Sequence, residues 1–189
     1  LPPFKAAAAA GVATFMNSFN EIDGIPSTAN KMLQRDMLKG EWGWDGFMVS
    51  DWGSIGEMMA HGYAKNKKHA AEIALNAGSD MDMESYAYEE HLEKLLKENK
   101  ISIAQIDDAV KRVLRVKFRL GLFDDPYKYC DEKKKKNDVY TKEHLALARD
   151  VAKKSIVLLK NQNKLLPLSK TIKSIAVIGP LADDKDSPL

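Results

Sequence analysis

The sequence predicts an α/β protein built on a parallel sheet, and three observations carry that prediction. From Lys5 to about Phe123, short apolar runs alternate with stretches of helical periodicity. The apolar runs recur roughly every thirty residues, the spacing of a βαβ unit. The composition, 44% hydrophobic and 30% charged, is that of a globular chain and not of a disordered one. At 189 residues there is room for one ordinary domain, or for one domain and a piece of another.

Taken in order, Lys5 to Ala10 is alanine-rich and predicts a helix that Gly11 stops. Val12 to Met16 is strand-like. A turn-rich loop follows over Asn20 to Thr28, with Asp23-Gly24 and Pro26 as its turn residues. Asn30 to Lys39 predicts a helix ending at Gly40. Gly46 to Ser50 predicts a short buried strand with Asp51 at its end. Lys67 to Ala77 predicts a helix with Ala70, Ile73, Ala74 and Ala77 on one face and Gly78 as its stop. Asp80 to Met83 predicts a third strand.

Two helices then follow in series. Tyr88, Leu92, Leu95 and Leu96 mark the first. The second carries explicit start chemistry: Ser102 as N-cap, Gln105 three residues on, and Ile101 with Ile106 placed as a staple. Its apolar stripe is Ile106, Val110, Val113 and Leu114, and Gly121 ends it. Asp124 to Val139, with Pro126 and the run Lys133 to Lys136, reads as a solvated linker. Thr141 then caps a long helix whose inward face is Leu145, Ala148, Ala152, Ile156 and Leu159. The strand Ser174 to Ile178 opens a second α/β unit. The chain begins Leu1-Pro2-Pro3-Phe4, with neither an initiator Met nor a signal-type leader, and stops just after that strand, so it reads as a segment of something longer.

Charge and composition exclude several classes. With 29 Lys+Arg against 27 Asp+Glu, a net charge of +2 gives no electrostatic reason for nucleic acid or an anionic membrane as partner. No apolar run approaches the ~20 residues of a spanning helix. The single cysteine, Cys130, cannot form an internal disulfide and has no His near it in sequence. His61, His69, His91 and His144 make no ligand pattern, and Asp51, His61 and Asp80 are the one trio that could share a metal if the fold gathered them. Gly179-Pro180 is not a phosphate loop, since proline removes a donor N–H. No cofactor is expected.

In parallel α/β folds the reactive groups stand just past the carboxyl ends of strands. Ser18, Asn20, Asp51, Asp80 and Asp82 occupy such places. Asp51 follows a buried run and is flanked by Ser50 and Trp52. A carboxylate beside an indole suits a carbohydrate, whose C–H faces stack on an aromatic plane while the carboxylate attacks the anomeric carbon. The alternative is that Asp51 caps the next helix. Alternation puts Asp80 and Asp82 on one face, where hydrogen bonds to backbone or to a basic neighbour are their expected role. Trp42 and Trp44 are expected to pack the turn before their strand.

The run Trp42-Gly-Trp-Asp-Gly-Phe-Met-Val-Ser-Asp-Trp52 resembles glycoside hydrolase family 3, the family of many β-glucosidases and β-xylosidases. So do Met16 to Gly24, Ala77 to Met83, Arg112 to Phe123, Ala152 to Asn161, Leu165 to Leu168 and Ile175 to Pro180, in the family's order. The resemblance implies residues 1–123 as the C-terminal part of a (β/α)8 TIM-type barrel, 124–140 as linker, and 141–189 as the first elements of an α/β sandwich domain. It implies retaining hydrolysis of terminal β-D-glucosides, with Asp51 as nucleophile and Trp52, Met16 and Phe19 as substrate-binding residues. Many members carry Tyr where this chain has Phe19, so a hydroxyl near the nucleophile is absent.

The family's other sugar-binding residues would lie before Leu1, and its general acid/base, usually a Glu, beyond Leu189. No strong candidate for that second carboxyl stands in this sequence; Glu57 and Glu84 are the nearest candidates by position, and loop or helix-surface roles are expected for both. The expected partners are a β-linked oligosaccharide or glucoside, and the remainder of the same enzyme or another chain covering the open barrel. The resemblance also implies a periplasmic or secreted enzyme. β-Xylosidase, β-N-acetylhexosaminidase and a catalytically silent carbohydrate-binding fragment are the competing readings.

Overall fold

The structure, a computed structural model, describes residues 1–184. It divides into two compact units, the first Leu1–Cys130 and the second from Asp131 onward.

The first unit begins with helix α1, Pro2–Ala9, whose alanines lack branched side chains to oppose helix formation. Strand β1, Thr14–Met16, pairs in parallel with β4, Phe47–Val49, in the register Thr14 with Phe47 and Met16 with Val49. The predicted strand Asp80 to Met83 is reduced to a single parallel bridge between Met81 and Val49. Its ladder stops because the next donor, the Met83 amide, is taken at 2.8 Å by the Ser50 hydroxyl instead of by a strand carbonyl. Three chains therefore run side by side in one direction, the geometry that the βαβ rhythm predicts.

Two local departures come from turn and helix geometry. The predicted loop after β1 contains an antiparallel hairpin, β2 (Glu21–Ile22) with β3 (Ile25–Pro26). Asp23 and Gly24, at φ 54° and 74°, form the two-residue turn with both φ positive that matches hairpin twist. The helix predicted to end at Gly40 is a π-helix, Met32–Glu41, with Gly40 inside it. Its wide turn is visible where the Trp42 amide reaches back five residues to the Met37 carbonyl, at 2.9 Å.

After β4 come α2, Ser54–Glu57, and α3, Lys67–Ala77, which has the predicted bounds. Asn66 caps α3 by accepting from the His69 amide, and Gly78 ends it at φ 110°. The core gathers on this helix: Ala70, Ala71, Ala74 and Leu75 meet Ile55 and Met58 from the α2 region and Leu95 from α4, Ala87–Lys97. Helix α5, Ile103–Arg119, starts with the predicted capping box between Ser102 and Gln105.

The apolar stripe of α5 is the correction. Ile106 packs on the core, but Val110 and Leu114 are 49% and 43% exposed. The buried apolar positions of the helix are Ala109 and Val116, and guanidinium groups hold it beside them. Arg112 Nη1 donates to the Trp44 and Gly46 carbonyls at 3.3 and 3.0 Å, and Arg115 Nη1 to the Asp45 carbonyl at 2.6 Å. Arg119 closes a two-pronged ion pair on the Asp45 carboxylate at 3.2 and 2.6 Å. That pair and its hydrogen bonds hold the Asp45 carboxyl below its ordinary range.

In the second unit, the predicted linker contains a short helix, α6, Glu132–Asp138, because Asp131 accepts from the Lys133 and Lys134 amides and so caps it. Helix α7 spans Lys142–Ser155, with Thr141 accepting from His144 N as predicted. Its predicted inward face is not inward. Leu145, Ala148 and Ala152 are exposed, while Ile156 and Leu159 lie past the helix end, Leu159 at 92% exposure. Ser174 to Ile178 forms no strand, and Ile178 is 90% exposed. A strand needs a ladder partner, and the described residues of this unit offer none.

Among the described residues, no helix is long and apolar enough to cross a membrane.

Candidate active site

The parallel register brings Asn17, Ser50 and Asp82 to the same end of the sheet, each one residue past a paired position. The Asn17 amide donates to the Val49 carbonyl at 3.1 Å, and the Ser50 amide to the Met81 carbonyl at 2.9 Å. Asp51 is the first side chain clear of that ladder.

Asp51 opens a turn in which its carbonyl accepts from the Ser54 amide at 3.1 Å. Gly53, at φ 69° and ψ 0°, occupies the third position, where a type II turn requires positive φ. One carboxylate oxygen, Oδ1, accepts from the Trp52 amide at 2.6 Å. The other, Oδ2, has no hydrogen bond among the described residues. The helix-capping alternative does not hold, since the N-cap of α2 is Gly53 and no side chain caps that helix. The result is a half-buried carboxylate, oriented through one oxygen and open at the other. Beside it, the Trp52 indole is 67% exposed.

The remaining predicted residues separate. Met16 ends β1 in register with Val49, is half exposed, and lines a cleft of about 410 Å³ together with Phe15, Asn17, Ser18, Asn20 and Trp42. Phe19, Asp51 and Trp52 do not line that cleft. Phe19 is exposed in the segment between β1 and the hairpin. Ser18 donates to Asn20 Oδ1 at 2.5 Å. Trp44 is core, as expected: its indole N–H donates to the Val12 carbonyl at 2.7 Å and its ring meets Phe15 edge-on at 5.0 Å. Gly46 is required beneath it, because a Cβ there would stand 2.2 Å from the Ala13 carbonyl oxygen.

Asp80 and Asp82 part company. Asp82 accepts from the Ser85, Ala87 and Tyr88 amides and anchors the start of α4. Asp80 is buried against Lys39, whose ammonium lies 2.6 and 2.7 Å from its two oxygens and also donates to the Gly78 carbonyl at 2.7 Å. Asp80 Oδ2 further accepts from the Met48 amide at 2.8 Å, so the pair braces β4 from behind. Burial pulls the Lys39 ammonium below its ordinary value and pushes the Asp80 carboxyl above its own, while each partner's charge opposes the other's shift.

The trio Asp51, His61 and Asp80 is not assembled. His61 pairs with Glu21 at 2.9 Å, Asp80 with Lys39, and among the described residues no three His, Cys, Asp or Glu side chains gather as a metal cage needs. Glu57 is exposed on α2, and Glu84 accepts from the Tyr86 hydroxyl at 3.0 Å.

Sequence reasoning missed a buried polar network beneath the strand ends. Asn17 Nδ2 donates to Ser79 Oγ at 2.7 Å, Ser79 Oγ donates to Gln34 Oε1 at 3.0 Å, and Thr28 Oγ1 lies 3.1 Å from both Asn17 Oδ1 and Ser54 Oγ. These residues lie up to 62 positions apart, and no motif marks them. Gln34 at a buried helix position was the one available signal, since a buried amide needs partners.

Parallel strands with a half-free carboxylate and an exposed indole just past their carboxyl ends define an α/β protein of the kind that does its chemistry at that rim. Residues 1–116 match the description "Glycosyl hydrolase family 3 N terminal domain", and residues 156–188 match "Glycosyl hydrolase family 3 C-terminal domain". The chain belongs to glycoside hydrolase family 3.

Among curated relatives, it is 42% identical over 188 residues to a periplasmic β-glucosidase of Salmonella typhimurium, covering 98% of this chain and 24% of that protein. It is 40% identical over 195 residues to a β-xylosidase of Formosa agariphila, covering 98% and 27%. A crystal structure of β-glucosidase from Listeria innocua in complex with glucose superposes with a TM-score of 0.74 at 44% identity, over 89% of this chain and 23% of that one. The chain thus spans about a quarter of the length of the curated relatives it matches.

Proposed function

We propose that this chain is part of a retaining, exo-acting β-glycosidase that hydrolyses terminal β-D-glucosides through a covalent glycosyl-enzyme on Asp51. The carrying observation is the Asp51 carboxylate, held through Oδ1 by the Trp52 amide at 2.6 Å with Oδ2 left open. In the first step Oδ2 attacks the anomeric carbon, the bond to the aglycone oxygen breaks, and that oxygen leaves with a proton from a general acid. In the second, water attacks the same carbon, releasing the sugar and restoring the carboxylate.

Trp52 offers its indole to the C–H face of the pyranose; Met16, at the end of β1, and Phe19, three residues on, join it in lining the ring when the remainder of the enzyme completes the site. A retaining mechanism sets its two carboxyls about 5–5.5 Å apart. The acid/base comes from the remainder of the same enzyme, or from another chain that covers the open edge of the sheet. On this reading β1, β4 and the Met81 chain are consecutive staves of a (β/α)8 barrel occupying residues 1–123. Residues 124–140 link it to an α/β sandwich domain that begins over 141–189. The separate family matches at 1–116 and 156–188 support that division.

The test is turnover of an aryl β-glucoside by the enzyme that carries this segment, before and after Asp51→Ala. Loss of about 10⁴-fold or more in kcat is expected for removal of a nucleophile. Unchanged turnover in the folded variant removes the assignment. A β-xyloside substrate is the second reading, supported by the similarity to the Formosa agariphila β-xylosidase. A higher kcat/KM on the aryl β-xyloside than on the glucoside would select it.

A further inference from the structure

We propose that Ser50 is a positioning residue for the Asp51 carboxylate, acting through the Met83 peptide; this rests on the nucleophile reading above. Ser50 is fully buried at the end of β4. Its hydroxyl donates to the Asp51 carbonyl at 3.0 Å and accepts from the Met83 amide at 2.8 Å. The other half of Met83 is used as well, its carbonyl accepting from the Gly53 amide at 2.8 Å.

Both backbone polar groups of Met83 are thus spent on residues 50 and 53, one on each side of the Asp51-Trp52 pair. The dipeptide that carries the carboxylate and the indole is bracketed by a single peptide from the neighbouring chain. Among the described residues, the Asp51 backbone is tethered only by the Ser50 hydroxyl and the Ser54 amide, which share its carbonyl oxygen. Its one side-chain tether, to the Trp52 amide, is itself part of the bracketed turn. The direction of the open Oδ2 therefore follows the bracket, in which the Ser50 hydroxyl is the only side-chain atom among the described residues.

A purely structural Ser50 would matter for stability alone. A positioning Ser50 sets kcat, because a displacement near 1 Å of a reacting group costs about 10²-fold in rate. The experiment compares Ser50→Ala, Ser50→Thr and Ser50→Cys in the enzyme that carries this segment, reading kcat and KM on an aryl β-glucoside with thermal midpoints alongside. Asp51→Gly, with and without added azide, is the parallel control.

Ser50→Ala is expected to lower kcat by about 10²-fold with KM within about 3-fold, and Ser50→Thr, which keeps the hydroxyl, to restore most of the rate. If Ser50→Ala does not fold, Ser50→Cys carries the test: its thiol is a larger group and only a weak donor and acceptor, so a folded cysteine variant is also expected to lose kcat with little change in KM. A folded alanine or cysteine variant with kcat unchanged overturns the proposal, as does a threonine variant as slow as alanine whose thermal midpoint matches wild type, since its hydroxyl is then present in an unstrained site without restoring the rate. Asp51→Gly that is inactive and rescued by azide while Ser50→Ala runs at full rate sinks the positioning role alone. Asp51→Gly that keeps full turnover sinks the nucleophile reading, and the Ser50 proposal with it.

Discussion

Asp51 and Tyr88 show what a single side chain contributes here. Asp51 is a nucleophile candidate because its surroundings leave one oxygen open, and little else about it is unusual. Tyr88, at the start of α4, donates its hydroxyl to the Ser79 carbonyl at 2.7 Å. Burial, with the Asp82 and Asp80 carboxylates nearby, raises its phenol well above the ordinary value of 10.0. The sign follows directly. Above pH 10.0 the unfolded chain releases this proton and the folded one keeps it, so the Tyr88 contribution is whole below that pH and is lost as pH rises. Tyr88→Phe should cost about 1 kcal/mol near neutral pH by leaving the Ser79 carbonyl without its donor. Denaturation midpoints of wild type and variant should converge between pH 10 and 11; a constant gap would contradict the buried phenol.

At the scale of elements, local chemistry was legible and distant chemistry was not. The limits of α3 follow from Asn66 and Gly78, and the start of α5 from Ser102, Gln105 and Ile101, because caps act over three or four residues. Ser102→Ala removes the hydroxyl that accepts from the Gln105 amide and should lower stability by about 1 kcal/mol, read as a lower thermal midpoint with unchanged helical signal. The same locality makes the position of Asp51 readable: an apolar run, then a carboxylate, then an indole. The polar cluster of Asn17, Thr28, Gln34 and Ser79 was not readable, because its partners meet only after the strands align. The Lys39 to Asp80 pair likewise joins residues 41 positions apart. Helical periodicity also misled at α5 and α7, where apolar spacing shows which face could be buried but not whether a neighbour arrives to bury it.

Across the whole molecule, that unburied apolar surface is the dominant feature. Val110, Leu114 and Phe118 on α5 are exposed, as are Leu145 and Val151 on α7, far more than the scattered apolar residues a soluble surface usually carries. The chain on its own should bind a hydrophobic dye such as ANS strongly at native pH. Replacing Val110, Leu114 and Phe118 by Gln should reduce that fluorescence while shifting stability by no more than about 0.5 kcal/mol per substitution, as for other exposed positions. A large loss of stability would show that these side chains pack after all. The surface accords with a chain that spans a quarter of its relatives' length, and with a barrel whose other staves supply the missing cover under the proposed function.

The Met83 bracket also sets an order of events during synthesis. Ser50 and its partner amide are 33 residues apart, so the turn holding Asp51 leaves the ribosome before the peptide that fastens it exists. At about 5–20 residues per second, that gap lasts roughly 2–7 s. During it the nascent strand end has its carboxylate but no clasp, and the turn around Asp51 closes only when the Met83 segment arrives.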